Sequence, residues 1–101
     1  METIAIGDLG IDLGRRRVTL HDREIPLSPT EYRLLCQLSA YPGMIHTYRM
    51  LLQTVWGETH TDESEYLHVY MGRLRRKLEA DPSHPAYFVT VPGIGYMMRK
   101  P

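Results

Sequence analysis

Residues 64–79 constrain the fold most strongly, because the apolar side chains in this stretch recur at helical spacing. These apolar residues are Leu67, Met71, Leu74 and Leu78. Gaps of three and four residues place side chains on one face of a helix. Four of the six residues from Gly72 to Lys77 are basic, and none is acidic. The stretch therefore predicts an amphipathic helix that buries one apolar stripe and presents cations on its other side.

A β-hairpin is predicted after this helix. Residues 87–91 and 96–100 are two runs suited to strands, and Pro92-Gly-Ile-Gly95 separates them. Gly93 and Gly95 favour a tight tip, because glycine accepts positive φ angles and lets other backbone approach closely. A helix followed by such a hairpin is the pattern of a winged helix. The cationic side of the helix suits the major groove of DNA, since phosphates attract the cations.

The first quarter of the chain predicts a small antiparallel sheet. Four short runs that favour strands are separated by turn residues, with Gly14-Arg15 and His21-Asp22 at two of the expected turns. The four runs are Ile4–Ile6, Leu9–Leu13, Val18–Leu20 and Ile25–Leu27. A sheet of this size is not stable alone, so we expect it to pack against helices.

Two more helices are predicted from their N-terminal signals. Ser28 is suited to cap a helix, with Pro29 at the first helical position and Glu31 completing a capping box. This helix is expected to stop near residues 41–43, and Thr47 is expected to cap the next one. The buried stripe of the second helix would comprise Leu51, Leu52, Val55 and Trp56. Strands, three helices and a hairpin together predict an α+β fold.

Length and charge bound the possible functions. At 101 residues the chain fits one domain, residues 1–101. The formal net charge is zero, which alone does not favour nucleic acid. The charge is nevertheless polarised, since residues 1–65 carry six basic and ten acidic side chains and residues 66–101 carry six basic and two acidic. A single cysteine allows no internal disulfide, and no stretch approaches the roughly 20 apolar residues of a membrane span, so we expect a cytoplasmic protein.

Catalysis is not expected from this sequence. The five histidines are scattered without ligand spacing, and there is no cysteine cluster or phosphate-cradling glycine loop. We therefore predict no catalytic, cofactor or metal site. A protein–protein interaction module remains an alternative to a DNA-binding domain, because fold alone does not separate the two. The uninterrupted cations of the helix at 64–79 favour DNA.

Four segments of the chain, in order, resemble the OmpR/PhoB-type effector domain of bacterial response regulators. The segments are Ser28–Leu35, Leu51–Trp56, Arg73–Leu78 and Gly93–Tyr96. The resemblance implies a winged helix-turn-helix with an N-terminal four-stranded antiparallel sheet, three helices and a C-terminal hairpin wing. It also implies transcriptional regulation in a two-component phosphorelay, with a head-to-tail dimer on a direct-repeat operator in double-stranded DNA.

The resemblance has further implications for partners and target genes. It implies contact with RNA polymerase and with a receiver domain of the same protein, and we expect that receiver domain to be missing from this chain. Within the family, residues 66–82 and 88–96 are most similar to regulators of high-affinity potassium-uptake genes.

The resemblance places the base-reading residues on the helix at 64–79. Arg73 stands where the family's recognition helix presents an arginine, and an arginine fork binds two acceptors of guanine in the major groove. A solvated surface arginine is the alternative. His68, Val69 and Gly72 are its neighbours on the same face and complete the expected base contacts. Val69 either touches a thymine methyl group or lies at the edge of the core.

Seven other residues are expected to contact DNA phosphates. They are Trp56, Tyr70, Arg75, Arg76, Lys77, Thr90 and Tyr96. Phosphate contacts need only charge or a hydroxyl within reach. For each of the three cations the alternative is an ion pair with Glu79 or Asp81, and for Trp56 it is a place in the core.

Predictions of narrower scope apply to three other segments. Pro92 stands where many relatives carry an arginine that enters the minor groove, so the resemblance does not carry that contact to this chain. The acidic loop at 57–63 is expected to face RNA polymerase, with a polar connector as the alternative. Arg15, Arg16 and Arg17 are expected at a solvated strand edge, where charge discourages unwanted pairing, with contact to the receiver domain or a partner subunit as the alternative.

Overall fold

The structure, a computed structural model, describes residues 2–57 and 64–100, which form seven strands and three helices. The strands are β1 Thr3–Ile6, β2 Leu9–Asp12, β3 Arg17–Leu20, β4 Arg23–Glu24, β5 Ile45–Thr47, β6 Phe88–Val91 and β7 Gly95–Met98. The helices are α1 Pro29–Ser39, α2 Tyr48–Trp56 and α3 Ser64–Leu78. The predicted order of a four-stranded antiparallel sheet, three helices and a C-terminal hairpin is confirmed.

The N-terminal sheet has the strand order β1-β2-β3-β4, with all neighbours antiparallel. His21 and Asp22 form the turn between β3 and β4 at φ angles of 50° and 64°, which is the left-handed pair that a two-residue hairpin needs. The fourth strand differs from the prediction, because it covers residues 23–24 rather than 25–27. Pro26 has no N–H to donate, so the pairing ends before it.

The two helix starts follow the predicted capping chemistry. The Ser28 hydroxyl accepts from the Glu31 backbone N–H at 3.2 Å, and the Glu31 carboxylate accepts from the Ser28 N–H at 2.8 Å. This reciprocal pair is the capping box expected for α1. The Thr47 hydroxyl accepts from the Met50 N–H at 3.1 Å and caps α2.

One hydrophobic core joins the three helices and both sheets. The apolar stripe predicted on α3 is confirmed, because all four of its side chains are fully buried. The facing residues of α1 and α2 are Leu34, Leu35, Leu38, Leu51, Leu52 and Val55. The three helices pack pairwise, so the outward side of α3 has a fixed orientation. No helix in the described part of the chain has the length and apolarity to cross a bilayer.

The strand β5 was not predicted, and it converts the hairpin into a three-stranded sheet of order β5-β7-β6. Its residues pair with β7, with His46 opposite Tyr96 and Thr47 opposite Gly95. Gly95 permits this pairing, since a Cβ atom there would overlap the His46 carbonyl oxygen. The turn between β6 and β7 contains Gly93 at a φ of 74°. Both roles expected of the hairpin glycines, positive φ and close approach, are therefore confirmed.

The buried side chain of His46 makes stability sensitive to acid. His46 is 2% exposed, neither ring nitrogen has a hydrogen-bond partner among the described residues, and the nearest aromatic ring is that of Tyr41. Burial lowers the pKa of His46 below its ordinary value of 6.5, because the charged form loses hydration. Below pH 6.5 the unfolded chain consequently binds more protons than the folded chain does. We expect the free energy of unfolding to fall by up to about 1.4 kcal/mol per pH unit as the pH drops below 6.5.

Urea denaturation of the unmodified chain and of His46→Gln across this pH range measures the effect. The glutamine does not titrate, while the remaining histidines contribute equally to both proteins. The unmodified chain should therefore show the steeper loss in acid. Parallel curves for the two proteins would show that His46 is not the group responsible.

Candidate nucleic-acid interface

The outward side of α3 carries the residues expected to read bases. Val69 is 48% exposed, which excludes a place at the edge of the core. Arg73 is exposed four residues later and Arg76 three residues after that, so the three share one helical face. Gly72 lies beside them, and a Cβ atom there would meet only the Arg76 guanidinium at 4.0 Å. Packing therefore does not require glycine at this position. Because Gly72 has no side chain, the surface has a shallow depression between the neighbouring side chains.

Arg73 is supported by two aromatic side chains. Its guanidinium carbon lies 4.7 Å from the centre of the Tyr70 ring, within the range of a cation–π interaction. Tyr70 in turn meets Trp56 edge to face, with 5.4 Å between ring centres. Both aromatic residues are partly buried against the core. The two rings hold Arg73 at the surface. Part of each ring's edge is accessible at the junction of α2 and α3.

Arg75, which was expected to contact phosphate, is turned toward the hairpin and bonds within the domain. Its Nη2 atom donates to the Phe88 carbonyl at 2.8 Å and to the Thr90 hydroxyl at 2.7 Å. Its guanidinium also lies over the Tyr96 ring, at 5.5 Å from the centre. Arg75 thus joins α3 to β6. Thr90 is exposed, and because its oxygen accepts from Arg75, its hydroxyl proton is still available to a phosphate.

Tyr96, which was also expected to contact phosphate, is buried and bonds within the domain. The residue is 4% exposed, and its hydroxyl lies 2.5 Å from His68 Nδ1. Burial raises the pKa of Tyr96, an effect that the nearby Arg75 charge partly offsets. Tyr48 packs edge to face against both rings, at 5.2 Å from His68 and 5.5 Å from Tyr96. His68, by contrast, is exposed on α3.

Lys77, the third of these residues, is paired within the domain, although its side chain is 39% exposed. Its Nζ atom donates to Glu31 Oε1 at 2.7 Å and to the Pro26 carbonyl at 3.1 Å. Burial alone would raise the pKa of Glu31. Hydrogen bonds from Lys77 and the Ser28 backbone, together with the Lys77 charge, outweigh it and hold that pKa below its ordinary value. The pair joins the end of α3 to the start of α1.

Sequence reasoning missed one residue that positions the wing. Glu79 is buried directly after α3, and its carboxylate accepts hydrogen bonds from the backbone N–H groups of Ala86, Tyr87 and Phe88 at 2.9 to 3.2 Å. These bonds fix where β6 begins. The signal in the sequence was an acid next to the last apolar residue of the α3 stripe, a position that faces the core.

Other predicted features lie at the margins of this surface. The loop expected to face RNA polymerase falls mostly on residues 58–63, outside the described residues. Arg15 and Arg16 lie in the turn between β2 and β3, and Arg17 is on the interior strand β3 rather than at a sheet edge. Within residues 2–57 and 64–100, no cluster of three or more metal-ligating side chains is present.

Comparison with known proteins points to one family. Residues 22–98 match the family model described as "Transcriptional regulatory protein, C terminal". The chain is 43% identical over 93 residues to the KDP operon transcriptional regulatory protein KdpE of Escherichia coli K12, covering 92% of this chain and 41% of that protein. It is 38% identical over 100 residues to the DNA-binding response regulator MtrA of Mycolicibacterium smegmatis, covering 99% and 44%. The chain thus spans about two fifths of the length of these relatives.

Solved structures agree with this grouping. The DNA-binding domain of Klebsiella pneumoniae RstA, solved in complex with the RstA box, superposes with a TM-score of 0.92 at 30% identity and covers 100% of both chains. The Thermotoga maritima response regulator DrrB, an OmpR/PhoB homologue, superposes with a TM-score of 0.88 at 31% identity, covering 96% of this chain and 44% of that one.

Proposed function

Because the chain belongs to the family of C-terminal domains of OmpR/PhoB-type transcriptional regulators, we propose that it binds double-stranded DNA with sequence specificity. Helix α3 enters the major groove, whose width admits an α-helix. The wing at 87–100 lies on the adjacent backbone. The chain acts as a single domain over residues 1–101.

One observation carries this proposal, the exposed face of α3 that contains Val69, Arg73 and Arg76. It combines an apolar methyl-bearing side chain, an arginine held on an aromatic ring and a second exposed arginine. Arg73 supplies a bidentate contact to guanine, and Val69 meets a thymine methyl group. Gly72 lets the DNA backbone or a base edge approach closely, and His68 adds a polar contact.

The proposed phosphate contacts are fewer than the sequence suggested. Arg76 and Thr90 remain, with Trp56 and Tyr70 at the junction of α2 and α3. Fewer phosphate contacts mean fewer counterions released and a shallower dependence of affinity on salt, at a slope of about −0.9 per contact. We therefore expect weak binding by an isolated copy of the domain.

Finer assignments rest on the relatives. We propose that the full protein contains a phosphorylated receiver domain, binds a direct-repeat operator as a head-to-tail dimer and contacts RNA polymerase through residues 57–63. Regulation of potassium-uptake genes is supported by 43% identity to the E. coli KdpE and 42% identity to the KdpE of Mycobacterium tuberculosis. The 38% identity to MtrA is nearly as high, so the target genes need a direct test.

Selection from random duplex DNA with the purified domain, run at two salt concentrations, tests the proposal. An enriched motif whose affinity falls with added salt supports specific DNA binding, and the motif's repeat spacing reports the dimer geometry. Enrichment of fragments upstream of potassium-transporter genes supports the finer target. Binding without any enriched motif or salt dependence contradicts the proposal and favours a protein-interaction module.

Arg73→Ala is expected to weaken binding to the selected duplex by about 1–3 kcal/mol and to relax preference at one base pair. The loss has two parts, the bidentate contact and its charge. Arg33→Ala is the matched control, because Arg33 is an exposed arginine on α1 and removes the same charge elsewhere. Gel-shift titrations of both variants measure the difference. Equal affinities and base preferences for the two variants would contradict the role of Arg73.

A further inference from the structure

The contact between His68 and Tyr96 determines which ring nitrogen of His68 carries a proton. His68 lies on the exposed face of α3, yet its Nδ1 atom is 2.5 Å from the Tyr96 hydroxyl. A neutral imidazole has one nitrogen that donates and one that accepts. The direction of this single hydrogen bond therefore decides what the other nitrogen, Nε2, offers to a ligand.

The surroundings of Tyr96 decide that direction. Tyr96 is buried, and among the described residues its hydroxyl has no hydrogen-bond partner other than His68. The Arg75 guanidinium over its ring donates elsewhere, to Phe88 and Thr90. If Nδ1 carried the proton, the phenol hydrogen would be a donor without an acceptor among the described residues, on a side chain that is only 4% exposed, and an unpaired donor is more costly than an acceptor with a spare lone pair. The Tyr96 hydroxyl therefore donates to Nδ1.

We propose that Tyr96 fixes His68 as the tautomer protonated on Nε2, so that this position presents a hydrogen-bond donor to DNA. The inference rests on the proposed function, in which α3 lies in the major groove. In that groove guanine presents two acceptors and thymine and adenine one each, whereas cytosine presents only an amino donor. His68 thus disfavours cytosine relative to the other three bases on the contacted strand. Tyr96 acts as a positioning residue, through His68 and without touching DNA.

The tautomer is measurable without DNA. In a long-range nitrogen–proton correlation spectrum of the labelled protein at about pH 8, we expect His68 to show a protonated Nε2 and a bare Nδ1. Tyr96→Phe should give a mixture of the two tautomers. Tyr48→Phe is the matched control, since Tyr48 packs on the same ring but makes no hydrogen bond with it among the described residues. A proton on Nδ1 in the unmodified chain overturns the proposal.

Base preference gives the second test. For Tyr96→Phe we expect discrimination against cytosine at one base pair to fall about three- to tenfold, the range of one hydrogen bond, with Tyr48→Phe unchanged. His68→Gln, whose amide both donates and accepts, should remove the discrimination at the same pair. If the unmodified chain selects no motif, the proposed function fails. If it selects a motif that depends on Arg73 while Tyr96→Phe leaves every base preference intact, only the tautomer proposal fails.

Discussion

Replacing Gly95 with alanine is expected to lower the free energy of unfolding by about 3 kcal/mol, at the upper end of the usual cost of overpacking. The new Cβ atom would overlap the His46 carbonyl oxygen and lie 2.7 Å from the carbonyl carbon. Both are backbone atoms of β5, so no side-chain rotation relieves the overlap, and β5 must separate from β7. Urea denaturation with linear extrapolation measures the loss.

Gly93→Ala is the control within the same hairpin. Gly93 has a φ of 74°, and a Cβ atom added there would have no neighbouring atom within 4 Å. Alanine at this position therefore costs only the left-handed backbone penalty of about 1 kcal/mol. The Gly95 variant should also lose DNA affinity, because Tyr96, which orients His68 through their hydrogen bond, moves with β7. Equal, small losses for the two alanines would show that the close approach of β5 to β7 does not limit this fold.

The parts of the fold that sequence reasoning predicted are those encoded by neighbouring residues. Ser28 and Glu31 are three positions apart, and their capping box starts α1 as expected. The stripe on α3 repeats within a single helix. Each of these signals is local, so periodicity and capping chemistry are sufficient to identify them.

The strand β5 was missed because its signal is not local. It has three residues, and the partner that makes it a strand lies on β7, nearly 50 positions later in the chain. Three residues do not establish an alternating pattern. Gly95, which permits the pairing, was predicted to allow a close approach of other backbone. Nothing in the sequence identified β5 as the strand that approaches it.

A helical-wheel projection also could not predict which partners the cations of α3 would bind. Arg75 and Lys77 flank the buried stripe, one residue after Leu74 and one before Leu78. At such positions a long side chain reaches either water or the neighbouring element. The choice depends on where the Phe88 carbonyl and the Glu31 carboxylate lie, which only the assembled fold determines. The cations in the middle of the exposed face, Arg73 and Arg76, have no such partner within residues 2–57 and 64–100, and their outward positions agree with the expectation.

The division of the α3 cations between contacts within the domain and the exposed face explains how a chain of zero net charge can still recognise DNA. Two of the four cations of α3 stabilise the domain, and the other two face outward beside an apolar residue and a histidine. Nonspecific attraction is then small, because it scales with the number of phosphates neutralised. In the proposed complex, base contacts by Arg73 and His68 would contribute a larger share of the binding free energy, which favours specificity over raw affinity.

Lys77→Ala is expected to destabilise the domain rather than to weaken DNA binding. Its loss leaves the Glu31 carboxylate, whose side chain is 3% exposed, without its cation. Breaking a buried pair costs about 3–5 kcal/mol, but the Lys77 side chain is 39% exposed, and water screens part of the interaction. We therefore expect a loss of about 2–3 kcal/mol in the free energy of unfolding, with little change in the DNA affinity of the folded fraction.

Arg76→Ala is the matched control, because Arg76 is an exposed cation one position earlier and makes no ion pair among the described residues. It should leave stability within about 0.5 kcal/mol and lower affinity on all duplexes alike, with the salt slope reduced by about 0.9. Adding Glu31→Gln to Lys77→Ala should restore part of the lost stability, since no buried charge then lacks a partner. If Lys77→Ala instead keeps full stability and weakens binding on every duplex as Arg76→Ala does, the lysine contacts phosphate after all, and the bridge to Glu31 contributes nothing to the fold.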